Sequence, residues 1–147
     1  MTNKEALTLS FDEIKKAERG FIFYDTLENG IRFIVIRGPC SLCAYIGVSL
    51  QHPLANFNYD NIPINCHHGL TFAARGDGKY HPENYYWYGW DYAHLEDYAF
   101  YYDDSTKLAE SGDKKWTVKD VVEDSWETVY DFKRLVKLIE KIENKLK

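Results

Sequence analysis

Basic charge is scarce in this 147-residue chain: 18 lysines and arginines stand against 23 aspartates and glutamates, a formal net charge of −5. Without an excess of cations there is no general attraction to a phosphate backbone or an anionic bilayer. Polymeric nucleic acid and membranes are therefore not expected partners. Long hydrophobic runs are missing too. None approaches the roughly 18 apolar residues of a membrane span, and the N-terminal MTNKEALTLS lacks the apolar stretch of a signal peptide. The expected compartment is the cytoplasm, where thiols stay reduced. Cysteine is sparse, and Cys40, Cys43 and Cys66 make an odd number for a disulfide framework. HExxH, Walker-loop, GxGxxG and nucleophile-elbow motifs are all absent, so no cofactor is expected.

Aromatic residues, by contrast, are plentiful, at 16% of the chain with twelve tyrosines. Tyrosine buries a large ring and keeps a polar tip, which suits both half-exposed sheets and ligand pockets. A hydrophobic content of 45% over this length can bury one core, and a single domain over residues 1–147 is expected.

Ser10-Phe-Asp-Glu13 reads as a capping box and Gly20 as a stop, predicting a short helix over residues 11–19. Phe21–Tyr24 and Ile31–Ile36, joined through Asn29-Gly30, read as a hairpin. A third strand follows Gly38-Pro39 over Cys43–Ser49, and residues 52–63 read as loop. Two further β-like runs, CHHGLTFAA (66–74) and NYYWYGWDYAH (84–94), flank the turn-rich RGDGKYHPE. At the C-terminus, Thr117 and Asp120 cap a long helix. Its apolar stripe runs through Val118, Val121, Val122, Trp126, Val129, Phe132, Val136, Ile139, Ile142 and Leu146. A stripe of that length needs a partner, and the sheet is the obvious one. The expected class is α+β, a mainly antiparallel sheet packed against the C-terminal helix.

Chemistry concentrates between Cys66 and His94, which hold four of the five histidines. Cys40-x-x-Cys43 with Cys66-His67 has the composition of a zinc site. No second CxxC exists, however, and Cys43 opens an apolar strand where a thiol acts as a small hydrophobe, so no metal is assigned. His52, His67, Asp91 and His94 form the stronger constellation. Imidazole beside carboxylate serves acid–base work, metal ligation or polar recognition, and equally a structural network. Trp87 and Trp90 fall where one face of a strand is core and the other can stack a base. The interleaved acids and aromatics of 96–104, with Asp103 and Asp104, read as a solvated face or as a surface for a basic protein groove.

Cys43-Ala-Tyr-Ile-Gly-Val48, Gln51-His-Pro53, Tyr59-Asp60, His67-His-Gly-Leu-Thr71 and Trp87-Tyr-Gly-Trp-Asp-Tyr-Ala-His94 occur in a fixed order. Together they resemble a family of small bacteriophage and mobile-element proteins with the core CGYVGV…GHP…YDD…HGGLT…WxGFDxAH. The likeness spans about residues 43–97. It places the family's histidines at His52, His67 and His94 and its aspartates at Asp60 and Asp91. His68 stands where the family has glycine, and Tyr92 where it often has cysteine. The context implies a counter-defence protein that binds and sequesters a small nucleotide-derived signal, with His52, Tyr59, Asp60, His67, Trp87, Trp90, Asp91 and His94 at the ligand. The alternatives are a protein-binding inhibitor of a host defence effector and a His/Asp-dependent phosphoesterase.

Overall fold

The computed structural model describes residues 1–103 and 112–146. Five antiparallel strands form one sheet in the order β1-β2-β3-β5-β4. These are β1 (Ile22–Glu28), β2 (Ile31–Arg37), β3 (Leu42–Ser49), β4 (Phe72–Arg75) and β5 (Tyr85–Asp91). The helices are α1 (Asn3–Ala6), α2 (Phe11–Lys15) and α3 (Val118–Leu146), and a 3-10 turn lies at Tyr59–Asn61. The expected α+β architecture is present. None of the described helices is long and apolar enough to cross a membrane.

The first three strands form a meander. Asn29 and Gly30 sit at φ 53° and 78°, the paired left-handed conformation of the tight turn whose twist matches a hairpin. The capping box at Ser10 is formed, but α2 ends at Lys15 rather than at residue 19. A second capping box at Thr2 opens α1, which the sequence reading left unassigned. Asn3 clamps the backbone of Asp25, donating to its carbonyl at 2.8 Å and accepting its N–H at 3.0 Å. This protects the free edge of β1 from pairing with another chain.

The run 66–74 is strand only from Phe72. Ahead of it, Gly69 N–H bonds to Cys66 C=O at 3.0 Å, and His68 and Gly69 take φ 57° and 84°. Left-handed residues break a strand, so what read as one β run is a tight turn followed by a short edge strand. β4 pairs antiparallel with β5, Phe72 opposite Gly89, and β5 pairs with β3. Glycine faces an aromatic twice across that pair: Gly47 opposes Trp87 and Gly89 opposes Tyr45. A Cβ on Gly47 would lie 2.6 Å from Trp87 Cε3, and one on Gly89 2.3 Å from Tyr45 Cδ1. Each ring lies on the bare backbone opposite, which is why glycine is needed there.

The sheet is buried on both faces. Phe33, Val35, Ala44, Ile46, Val48, Tyr88 and Trp90 face α3. Ile34, Ile36, Cys43, Tyr45 and Trp87 form a smaller core on the other face. The turn-rich loop folds over this second core: Trp87 Nε1 donates to Pro82 C=O at 2.9 Å, and the His81 ring packs on Phe72 and Tyr45.

α3 has 29 residues, about 44 Å at 1.5 Å per residue, and its capping box is formed between Thr117 and Asp120. Its buried residues are Val118, Val121, Ser125, Thr128, Phe132 and Val136. Val118, Val121, Phe132 and Val136 of the expected stripe are buried, and Val122, Val129 and Ile139 pack against the core. The buried line also takes in Ser125 and Thr128 and is rotated slightly, leaving Trp126 and Leu146 67% and 81% exposed. Hydrogen bonding explains the rotation. Thr128 Oγ1 donates to Asn65 C=O at 2.7 Å, and Ser125 Oγ lies 3.4 Å from Tyr92 Oη. Two hydroxyls with partners can occupy the core, and the larger indole is left at the edge, stacked on Tyr130 at 5.9 Å.

Candidate functional site

The functional side chains converge where β5 leaves the sheet. Asp91 is its last residue, and Tyr92 N–H still bonds to Leu42 C=O at 3.2 Å. The chain then turns: Asp97 N–H bonds to His94 C=O at 2.9 Å, and Glu96 takes φ 75°. Asp97 forms a parallel bridge with Lys114. The turn at 66–69 brings His67 and His68 to the same place from the other strand.

Asp97 is the centre of the cluster. It is 3% exposed, and a buried carboxylate requires partners. His67 Nε2 lies 2.8 Å from Oδ2, Trp116 Nε1 donates to Oδ1 at 2.8 Å, and His94 N–H donates to Oδ2 at 3.1 Å. With Nε2 committed to Asp97, the imidazole of His67 is fixed in direction and keeps Nδ1 for other work. It also stacks on Tyr92 at 4.5 Å and 13°.

Tyr92 is itself anchored. Its hydroxyl accepts from Trp90 Nε1 at 3.1 Å and donates to Asp124 Oδ2 on α3 at 2.8 Å. Burial raises the pKa of this phenol far above its ordinary value, which keeps it a donor.

His68, the exposed member, stacks on His94 at 4.4 Å and 19°, and His67 and His94 lie 6.0 Å apart. His94 Nε2 is 3.2 Å from Asp91 Oδ1. That contact is off the line of a hydrogen bond, and the nitrogen is buried without a hydrogen-bond partner among the described residues. Asp91 also accepts from Ala93 N–H at 3.2 Å. β5 is regular through Gly89, and it is the turn after Asp91 that brings His94 back to it.

A cleft of about 630 Å³ opens beside this cluster, lined by His67, His68, Leu95, Glu96, Asp97, Gly112, Asp113, Lys114 and Trp116. Lys114 Nζ sits 4.0 Å over the Trp116 ring. The cleft thus offers an oriented imidazole, an exposed imidazole, one ammonium and an indole, with acids at Glu96 and Asp113. That mixture suits a small polar ligand.

Of the residues expected at the site, His67, Asp91 and His94 come together and the others do not. Trp87 and Trp90 are 0% and 1% exposed. One fills each core, so neither ring is open to a ligand. His52 accepts Leu54 N–H at 3.0 Å, lies 3.7 Å from Glu140 of α3 and does not line the cleft. Tyr59 and Asp60 lie on the exposed 3-10 turn and do not line the cleft. The composite cysteine site is not formed: Cys43 is in the smaller core, whereas Cys66 packs against the larger one on the opposite face. Burial pushes both thiols up to about 12. In the acidic-aromatic stretch, Asp97, Tyr98 and Phe100 are buried and only part of the surface remains, with Tyr101 62% exposed. Asp104 lies outside the described residues.

Sequence reasoning missed His68, Asp97, Lys114 and Trp116. One signal pointed to Asp97: Asp91, His94 and Asp97 recur at intervals of three, the spacing of a turn rather than of a strand. No family model matches the chain, and neither a curated protein nor a solved structure matches it.

Proposed function

We propose that this chain is a counter-defence protein of the phage and mobile-element kind, which binds and sequesters a small nucleotide-derived signal in the cleft beside His67. The observation that carries the reading is His67 held by buried Asp97, set next to exposed His68 and the Lys114–Trp116 pair in one cleft of ligand size. A phosphate would meet Lys114 and His68, and the polar edge of a base or ribose would meet the remaining donors and carboxylates. Trp116 takes the part first given to Trp87 and Trp90, as the indole at the ligand.

The test is a titration with cyclic dinucleotides and ADP-ribose-type nucleotides, in the presence of a chelator, followed by tryptophan emission and melting temperature. A ligand at 100 times its Kd stabilises by about 2.7 kcal/mol. Trp116→Phe should remove most of the emission change. No shift with any nucleotide would overturn the reading. The same cluster supports a second one, because an imidazole held by a buried carboxylate is also the arrangement of a general base. Chromatography of the released ligand separates the two: a sequestering protein returns it intact, and a phosphoesterase returns product.

A further inference from the structure

We propose that His67, His68 and Asp97 form a site for a divalent transition-metal cation of the zinc class. One donor atom from each lies within 4.8 Å of the other two. In a four-coordinate site with bonds of roughly 2.0–2.1 Å, neighbouring donors stand about 3.3 Å apart. His67 Nε2 and Asp97 Oδ2 are already 2.8 Å apart. Seating an ion there replaces one hydrogen bond by two metal bonds, widens the pair slightly and releases the shared proton to solvent. His68 is exposed on its turn and closes the remaining gap by rotation of its side chain.

Two imidazoles and one carboxylate suit zinc, and three protein ligands leave a fourth position open toward the cleft. The outer shell is already present. Trp116 Nε1 holds Asp97 Oδ1, and the His94 N–H holds Oδ2, so the carboxylate is aimed before an ion arrives. His68 holds φ 57°, a conformation disfavoured for a residue with a Cβ. An imidazole therefore occupies a position where glycine would fit with less strain.

The site goes beyond the ligand reading and stands or falls separately from it, because the nucleotide titration is run in chelator. Protein stripped of metal is titrated with Zn²⁺ by calorimetry and with Co²⁺ by visible absorption. The expected result is one equivalent bound, the intense visible bands of four-coordinate Co²⁺, and a raised melting temperature. His68→Gly relieves the backbone strain, so its metal-free melting temperature should match or exceed that of the parent while Zn²⁺ affinity falls at least tenfold. The double variant Cys40→Ser, Cys66→Ser should bind as the parent does. Absence of binding, binding unchanged in His68→Gly, or binding lost with the cysteines would each overturn the proposal.

Discussion

Replacing Asp97 by asparagine tests the organisation of the site in a single atom. The carboxylate receives three donors, two on Oδ2 and one on Oδ1. Asparagine keeps the shape but has one acceptor oxygen. Its best orientation puts that oxygen toward His67 and the His94 N–H, leaving the amide NH₂ against the Trp116 N–H, donor to donor. One buried donor then loses its partner, at about 1–3 kcal/mol, and the two surviving bonds lose their charge assistance. Relief of carboxylate desolvation works in the opposite direction, but three preaimed donors outweigh it. The expected net loss is roughly 2–4 kcal/mol, and for a chain of this size each kcal/mol moves the melting temperature by about 2–4 °C. Far-UV circular dichroism melts of Asp97→Asn, Trp116→Phe and the double variant provide the measurement. Asp97→Asn should melt roughly 4–16 °C below the parent, and the two changes should be non-additive because they share the Trp116 bond. A melting temperature within 2 °C of the parent, or above it, would refute the claim that Asp97 is a fully partnered anion.

Three further outcomes follow from the cores and the loop. Trp90→Ala should cost about 3–5 kcal/mol in urea unfolding, whereas exposed Trp126→Ala should stay within roughly 0.5 kcal/mol; equal losses would contradict the rotated stripe on α3. Tyr88 Oη donates to Leu54 C=O and accepts Phe57 N–H at 3.2 Å; Tyr88→Phe should therefore cost about 1–3 kcal/mol and speed exchange of the Phe57 amide, with an unchanged exchange rate counting against the bond. Burial holds His81 below its ordinary value of 6.5, against the pull of Asp77, so the unfolded chain takes up that proton more readily. Its contribution is intact above pH 6.5 and is lost as pH falls below it, and the stability difference between parent and His81→Phe should change with that slope; parallel pH profiles would refute the assignment.

The meander was legible because its information is local. Asn29-Gly30 specifies a hairpin turn, and the apolar runs on either side specify its strands. The α+β class was legible for the same reason, since the period of α3 is written in its own residues. The rotation of α3 was not, because it depends on Asn65 and Tyr92, which are distant in sequence and supply partners to Thr128 and Ser125. Trp87 and Trp90 misled for a related reason. An aromatic run on a strand announces rings on both faces but not what covers them, and here α3 covers one face and the 76–84 loop the other. The histidines were legible as a cluster, whereas Asp97 was hidden inside an acidic run whose charges mostly read as solvated.

Fold and site meet at Tyr92, which links the cluster to the core. The ring fills the core between Trp90 and Trp116, and its hydroxyl binds Asp124 on α3. On the other side, the ring is the plate on which His67 lies. Any displacement of α3 by its Asp124 turn would shift the plate, then the imidazole, then its bond to Asp97. His67 is carried by the 66–69 turn, but its ring is fixed by packing on Tyr92 and by its bond to Asp97, and such support holds a binding constellation to small tolerances. A smaller side chain at Tyr92 would offer neither the ring face nor the reach to Asp124, so the pose of His67 is tied to the long helix through this residue.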